Sequence, residues 1–198
     1  MFKGIGEKET DTVFTRAFTT LLITLILYRD NQEEDFISAT KINNIKDKLM
    51  KYIVLEKDLR GYVSGKGWAH SMAHAADAFE VLVNNPKISR DDFPEIVSIL
   101  WSKVLTSTSV YLHDEDERLL LPILSMVEKG MNATEIEGLL QHLPDDLSTR
   151  KEQVTDEEYW FLVFNVKAFL KSFYIKINGI AKLLPLQKKI EHSLTNIY

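Results

Sequence analysis

Two histidines four residues apart, with an aspartate three further on, stand in the stretch GWAHSMAHAAD from Gly67 to Asp77. Imidazole and carboxylate are ligands for divalent metals, and imidazole also exchanges its proton near neutral pH. On a helix turning about 100° per residue, His70, His74 and Asp77 fall within about 60° of one another. Three such groups can converge on one divalent ion and leave positions open for water or substrate. The same spacing fits a plainer arrangement, with one histidine hydrogen-bonded across a helix interface and the other solvated. Ser71 follows His70, so the zinc-protease helix, with glutamate after its first histidine, is absent.

Immediately upstream, EKDLRGYVSGKGW (Glu56 to Trp68) places Gly61, Gly65 and Gly67 within seven residues. Such glycines mark a tight connection with unusual backbone angles. The connection leads into the start of the histidine helix, where unbonded N–H groups favour anions. Arg60 and Lys66 add positive charge, and Asp58 is placed to pair with Arg60. This is not a phosphate-binding Walker loop, because glycine rather than Ser or Thr follows Lys66.

The elements that must position these groups read as helices. Around the histidine helix, taken to start near Gly67 and stop at Asn84-Asn85-Pro86, Trp68, Met72, Phe79 and Val83 form a core stripe opposite the polar face. Other helices are expected from about Asp11 to Tyr28, Ser38 to Glu56, Ser89 to Leu105 and Asp114 to Lys129. Asn132 starts a short sixth, Thr155 with Glu158 caps a long aromatic seventh, and a last one follows Pro185. The longest polar gap runs from Pro144 to Gln153, and no strand pattern is found. The expected fold is all-α: antiparallel helix pairs stacked in an α-solenoid of the HEAT/armadillo kind, one domain over residues 1–198.

Composition removes several functions. The formal charge of -5 and the absence of a basic stripe exclude a dedicated nucleic-acid binder. With no cysteine there is no disulfide, thiolate metal site or cysteine nucleophile, which fits a cytoplasmic protein. The apolar run from Val13 to Tyr28 carries Arg16 and four threonines and falls short of a bilayer span. It is expected to be a buried core helix, with no stable membrane insertion.

GIGEKETDTVFTRAF (Gly4 to Phe18), EKDLRGYVSGKGWAHSMAHAAD (Glu56 to Asp77) and DEDERL (Asp114 to Leu119) resemble a bacterial family found largely in Gram-positive species and catalogued as a domain of unknown function. The resemblance runs to about Gly130. It implies an all-helical, repeat-like fold, and a pattern of polar residues: Glu7, Arg16, Asp58, Arg60, His70, His74, Asp77, Glu117 and Arg118. Members are typically longer at the N-terminus, so the chain is expected to lack some N-terminal helices of the family pattern. Deoxyhypusine hydroxylase, a helical-repeat iron enzyme with His-Glu pairs, is a poor analogue, since Ser71, Ala75, Asp114, Leu143 and Ser193 follow the five histidines.

Two functions remain. One is a binding or scaffold module whose polar groove, lined by Arg16, Asp58, Arg60, His70, His74, Asp77, Glu117 and Arg118, receives a protein or a small anionic ligand. The other is a metal-dependent, hydrolase-like enzyme with a divalent ion on His70, His74 and Asp77, and Arg60 or Arg16 stabilising an oxyanion.

Overall fold

Capping chemistry sets most of the helix boundaries. Ser38 accepts from the Lys41 amide and Asn132 from the Thr134 amide, while Thr155 and Glu158 form a complete capping box. Gly130, at φ +95°, closes the fifth helix after Lys129. The computed structural model describes residues 1–33 and 35–197. Its helices are α1 (Thr12–Glu33), α2 (Ala39–Leu55), α3 (Ser71–Val83), α4 (Phe93–Val104), α5 (Glu115–Glu128), α6 (Ala133–Lys151), α7 (Asp156–Ile177) and α8 (Leu184–Asn196).

The all-α expectation holds, and the helices pack in two rows. The odd-numbered helices touch in the order α1, α3, α5, α7, and the even-numbered ones in the order α2, α4, α6, α8. The core lies between the rows, with Phe79, Phe93, Phe169 and Phe173 fully buried. In α3 the residues Ala73, Ala75, Ala76 and Ala78 have no exposed surface. Their small side chains let α1 and α5 approach α3 closely from both sides.

Four expectations need correction. The histidine helix begins at Ser71, because Gly67 at φ +92° and His70 at φ +46° are incompatible with α-helix. Residues ahead of it form a two-stranded hairpin instead, β1 (Tyr62–Val63) against β2 (Gly67–Trp68), with Tyr62 opposite Trp68. Trp68 is therefore half-exposed and leaves the core stripe to Met72, Phe79 and Val83. The sixth helix is long rather than short and runs through the expected gap to Lys151. Pro144 removes one amide from it, but Leu140, Leu143 and Leu147 are buried around the proline and their packing holds the helix together.

The fourth correction concerns α1. It lies at the edge of the helix row and packs chiefly on α3, so one face stays open. Phe18, Leu22, Leu25, Ile26 and Tyr28 are exposed, while Val13, Arg16, Ala17, Thr20 and Leu27 are fully buried. Residues Thr12–Gln32 are long and apolar enough to cross a membrane by length and composition, with a third of that window buried.

Arg16 anchors this edge. Its guanidinium makes a two-point ion pair with Glu56, 2.6 Å from Nε to Oε2 and 2.9 Å from Nη2 to Oε1. Nη1 donates to the carbonyls of Lys3 and Gly4 and to the Thr12 hydroxyl. Glu56 Oε1 also accepts the amides of Lys57 and Asp58, which turns the chain out of α2 toward the hairpin. Both side chains are wholly buried. Removing one partner strands the other charge away from water, so Glu56→Met or Arg16→Met is expected to destabilise the fold by about 3–5 kcal/mol. Urea denaturation checks this. The double variant Arg16→Met/Glu56→Met should lose markedly less than the two single losses added together.

Candidate functional site

His70 occupies the residue before α3, in the left-handed region at φ +46° and ψ +40°. Its amide donates to the Arg60 carbonyl and its carbonyl accepts from the His74 amide, so the unusual conformation is held at both ends. A non-glycine residue there is strained, and such strain concentrates at functional positions. Ser71 donates from its hydroxyl to the Asp58 carbonyl, which locks the start of α3 onto the loop that leaves α2.

A second segment meets His70 from the other side. The loop joining α4 to α5 is stapled by Asn165 of α7, whose side chain is completely buried. Asn165 accepts from the Tyr111 amide and donates to the carbonyls of Thr106 and Ser109. The loop then delivers His113, Asp114 and Glu115 to the head of α5. Asp114 is left-handed at φ +63°, and this turn points His113 and Glu115 toward the same space. Glu115 Oε2 accepts the His113 amide at 2.8 Å, which fixes the carboxylate.

The result is a cluster of imidazoles around one buried carboxylate. His70 Nε2 lies 3.4 Å and His113 Nδ1 4.0 Å from Glu115 Oε1. One ligand atom from each of these residues lies within 4.8 Å of the others. Trp68 packs on His70 at 4.4 Å between ring centroids and edge-on to His113 at 5.2 Å, bracing both rings. His74 follows at 5.9 Å from His70, with Phe18 of α1 beyond it. Burial, reinforced by His74, Arg118 and His113, pushes the His70 imidazole down to about 4 against the pull of Asp77, so the ring is neutral at neutral pH. Burial also raises the Glu115 carboxyl, partly offset by the His113 amide. Among the described residues, His70 Nε2 and His74 Nδ1 are buried without a hydrogen-bond partner.

The other residues singled out from the sequence divide by role. His70 and His74 come together, but Asp77 is taken by Arg118 of α5, which grips both its oxygens. His74 Nδ1 is 3.6 Å from Asp77, longer than a hydrogen bond. Arg16 is occupied by Glu56. The Asp58–Arg60 pair forms as expected, and it ties down the N-terminal segment: Asp58 accepts the Glu9 amide, and Arg60 donates to the Thr10 carbonyl. Glu7 accepts from Thr10 and Thr12, and half-exposed Glu117 faces Lys176 at 3.7 Å. These groups brace the surroundings of the imidazole cluster.

His113 and Glu115 went unnoticed as a pair in the sequence. The acids from Asp114 to Glu117 look like ordinary dipole partners at a helix start, and His113 sits just outside that run. A histidine two residues before the first helical glutamate was the available signal. The two residues also border a cleft of about 280 Å³, lined by Lys8 and Glu9, by Lys57, Arg60 and Tyr62, and by the stapled loop.

The Asp77–Arg118 contact ties α3 to α5 directly behind the cluster. Burial alone would raise the Asp77 carboxyl, but His74 and Arg118 outweigh it and hold the carboxyl below its ordinary 3.8. A depressed carboxylate stabilises the fold fully above its unfolded value, and this is lost as the pH falls through the folded one. Asp77→Asn should therefore be less stable than the wild type at neutral pH, with the gap closing below about pH 3.8. Urea unfolding across that range checks it.

Comparison with curated proteins and with solved structures finds no match. A family model does match, over residues 1–175, and that span contains the hairpin, the imidazole cluster, Glu115 and the Asn165 staple. The chain belongs to the DUF2785 family, described as a protein of unknown function.

Proposed function

We propose that this protein is a helical-repeat binding module, an α-solenoid that receives a small anionic ligand in the polar cleft in front of the imidazole cluster. The observation that carries the reading is the pair of buried ring nitrogens, His70 Nε2 and His74 Nδ1, with no hydrogen-bond partner. Buried polar atoms in native proteins are nearly always paired, so such a gap, reached through His113 at the cleft wall with its ring 6.1 Å from that of His70, marks a place for a ligand. The cleft rim supplies Lys8 and Lys57, both exposed, and Arg60, whose charge is shared with Asp58. The two helix rows support the solenoid, since stacked pairs touch in that order. Net acidity speaks for a discrete small ligand or a protein surface over nucleic acid, and the lack of cysteine fits a cytoplasmic setting.

A second reading, hydrolase-like chemistry at a bound divalent metal, is favoured by one specific observation. Two histidines and a glutamate from separate segments converge, and two of them, His113 and Glu115, line the same cleft. That set, His70, His113 and Glu115, replaces Asp77, which Arg118 already neutralises.

Calorimetry and thermal unfolding with inorganic phosphate and with citrate test the binding reading. The wild type should show saturable binding and a rising Tm. Lys8→Ala/Lys57→Ala should bind about tenfold more weakly, the loss of roughly one charge-assisted contact. A wild type that responds to neither anion, or a double variant that binds both unchanged, overturns the reading.

A further inference from the structure

An anion entering this cleft meets Glu115 at the inner end, and a carboxylate repels it unless a cation stands between them. We propose that His70, His113 and Glu115 form a binding site for one zinc-class divalent ion, whose open coordination position faces the cleft. The inference rests on the binding reading for the role of the ion, and on geometry for the site itself.

Two imidazoles and one carboxylate are a common donor set for zinc sites that keep an open position. Bonds of about 2.0–2.2 Å in a tetrahedron place ligand atoms roughly 3.3–3.5 Å apart. His70 Nε2 stands 3.4 Å from Glu115 Oε1, already at that separation, and His113 Nδ1 stands 4.0 Å away, a small ring movement from it. His70 Nε2 is buried and has no hydrogen-bond partner among the described residues, since Glu115 Oε1 at 3.4 Å is not aligned for one, and this leaves a donor atom open to a ligand.

Three further features hold the set in place. Glu115 Oε2 is anchored by the His113 amide, which leaves Oε1 turned toward both rings. Trp68 contacts both imidazoles and fixes their planes. Gly61 keeps the intervening space clear: a Cβ there would collide with His113 Nδ1 and come within 2.7 Å of Glu115 Oε1. Its φ is not positive, so glycine is required at this position by close approach and not by backbone angle. The ligands come from two different connections, the hairpin and the α4–α5 loop, so the ion would also cross-link them.

His74 and Asp77 stay outside the set. Asp77 is bound through both oxygens by Arg118, and a metal there would have to displace a guanidinium. The two possible histidine sets therefore make opposite forecasts for His74 and His113.

The experiment uses untagged full-length protein, stripped of metal and titrated with Zn2+ by calorimetry, with Co2+ absorption as the coordination signature. One ion per chain is expected, with the intense visible bands of four- or five-coordinate cobalt. His113→Ala, at a ring that is one-third exposed, should weaken Zn2+ by at least about tenfold with its melting temperature in the metal-free state unchanged. Gly61→Ala should weaken Zn2+ as well while keeping every ligand, and His74→Ala should bind as the wild type. Absence of stoichiometric Zn2+ and Co2+ binding overturns the site, as does loss in His74→Ala with retention in His113→Ala. Repeating the phosphate titration on metal-free and Zn2+-loaded protein separates the two ideas. Lys57-dependent phosphate binding without any Zn2+ binding sinks the metal site alone, whereas stoichiometric Zn2+ binding by a protein that takes up no phosphate in either state sinks the anion reading alone.

Discussion

Arg16 is taken wholly out of water, and its three nitrogens donate to three pieces of chain. Glu56, at the end of α2, takes two of them, and the carbonyls of Lys3 and Gly4 and the Thr12 hydroxyl share a third nitrogen. Burying a guanidinium is unfavourable by several kcal/mol unless charge and hydrogen bonds replace its water. Here each of the three nitrogens finds an acceptor, and only when the N-terminal segment, α1 and the exit of α2 are all in place. Glu56 then turns the Lys57 and Asp58 amides toward itself, Asp58 holds Arg60 and the Glu9 amide, and the Asp58 carbonyl receives Ser71. The position of His70, one residue earlier, follows from this chain of polar contacts. An arginine that looks like a candidate for oxyanion binding is in fact the foundation on which the hairpin stands.

Helix existence and type were legible in the sequence because periodicity and caps report local chemistry. Thr155 with Glu158, Asn132 and Lys129-Gly130 all mark the boundaries they occupy. What was not legible depended on tertiary override. Pro144 stops an isolated helix, but buried leucines on the same face carry α6 past it. The run from Val13 to Tyr28 reads as a core helix by its apolar content, yet its buried face includes Arg16, Thr20 and Thr24 while several of its largest apolar residues face outward. Thr20 and Thr24 satisfy their hydroxyls on the carbonyls one turn back, which allows polar residues to be buried without partners from elsewhere. No count of hydrophobic residues distinguishes the two faces when the polar one is internally satisfied.

The candidate site shows the same division between local and long-range information. Placing His70, His74 and Asp77 on one helical wheel assumes that the helix includes residue 70, and the left-handed conformation of His70 breaks that assumption. His74 and Asp77 keep their helical relation, but His70 swings toward Trp68 and His113. Asp77 finds Arg118, 41 positions away, and Glu115 finds His70, 45 positions away, through the packing of α3 on α5. Neither pairing has a local signature. Asn165 is more remote still: a lone asparagine within an aromatic helix gives no hint that it holds the loop carrying His113.

Two strained residues at one site call for a physical reason. His70 and Asp114 both take left-handed backbone angles that glycine would adopt with less strain, each at the entrance to a helix. At position 70 glycine would forfeit the imidazole that stands 3.4 Å from Glu115. At position 114 the turn sets His113 and Glu115 on the same side, although Asp114 itself makes no capping bond. Strain of about 1–3 kcal/mol per residue persists only where surrounding contacts over-determine the geometry. Here the Arg60 carbonyl, the Ser71–Asp58 lock and the Asn165 staple do so, and all of them act on the backbone. The two ring nitrogens and the carboxylate oxygen are thus brought together by forces that do not arise from their own attraction. The cost of that assembly is backbone strain and a ring nitrogen left unsatisfied among the described residues, and these two features are what the proposed site rests on.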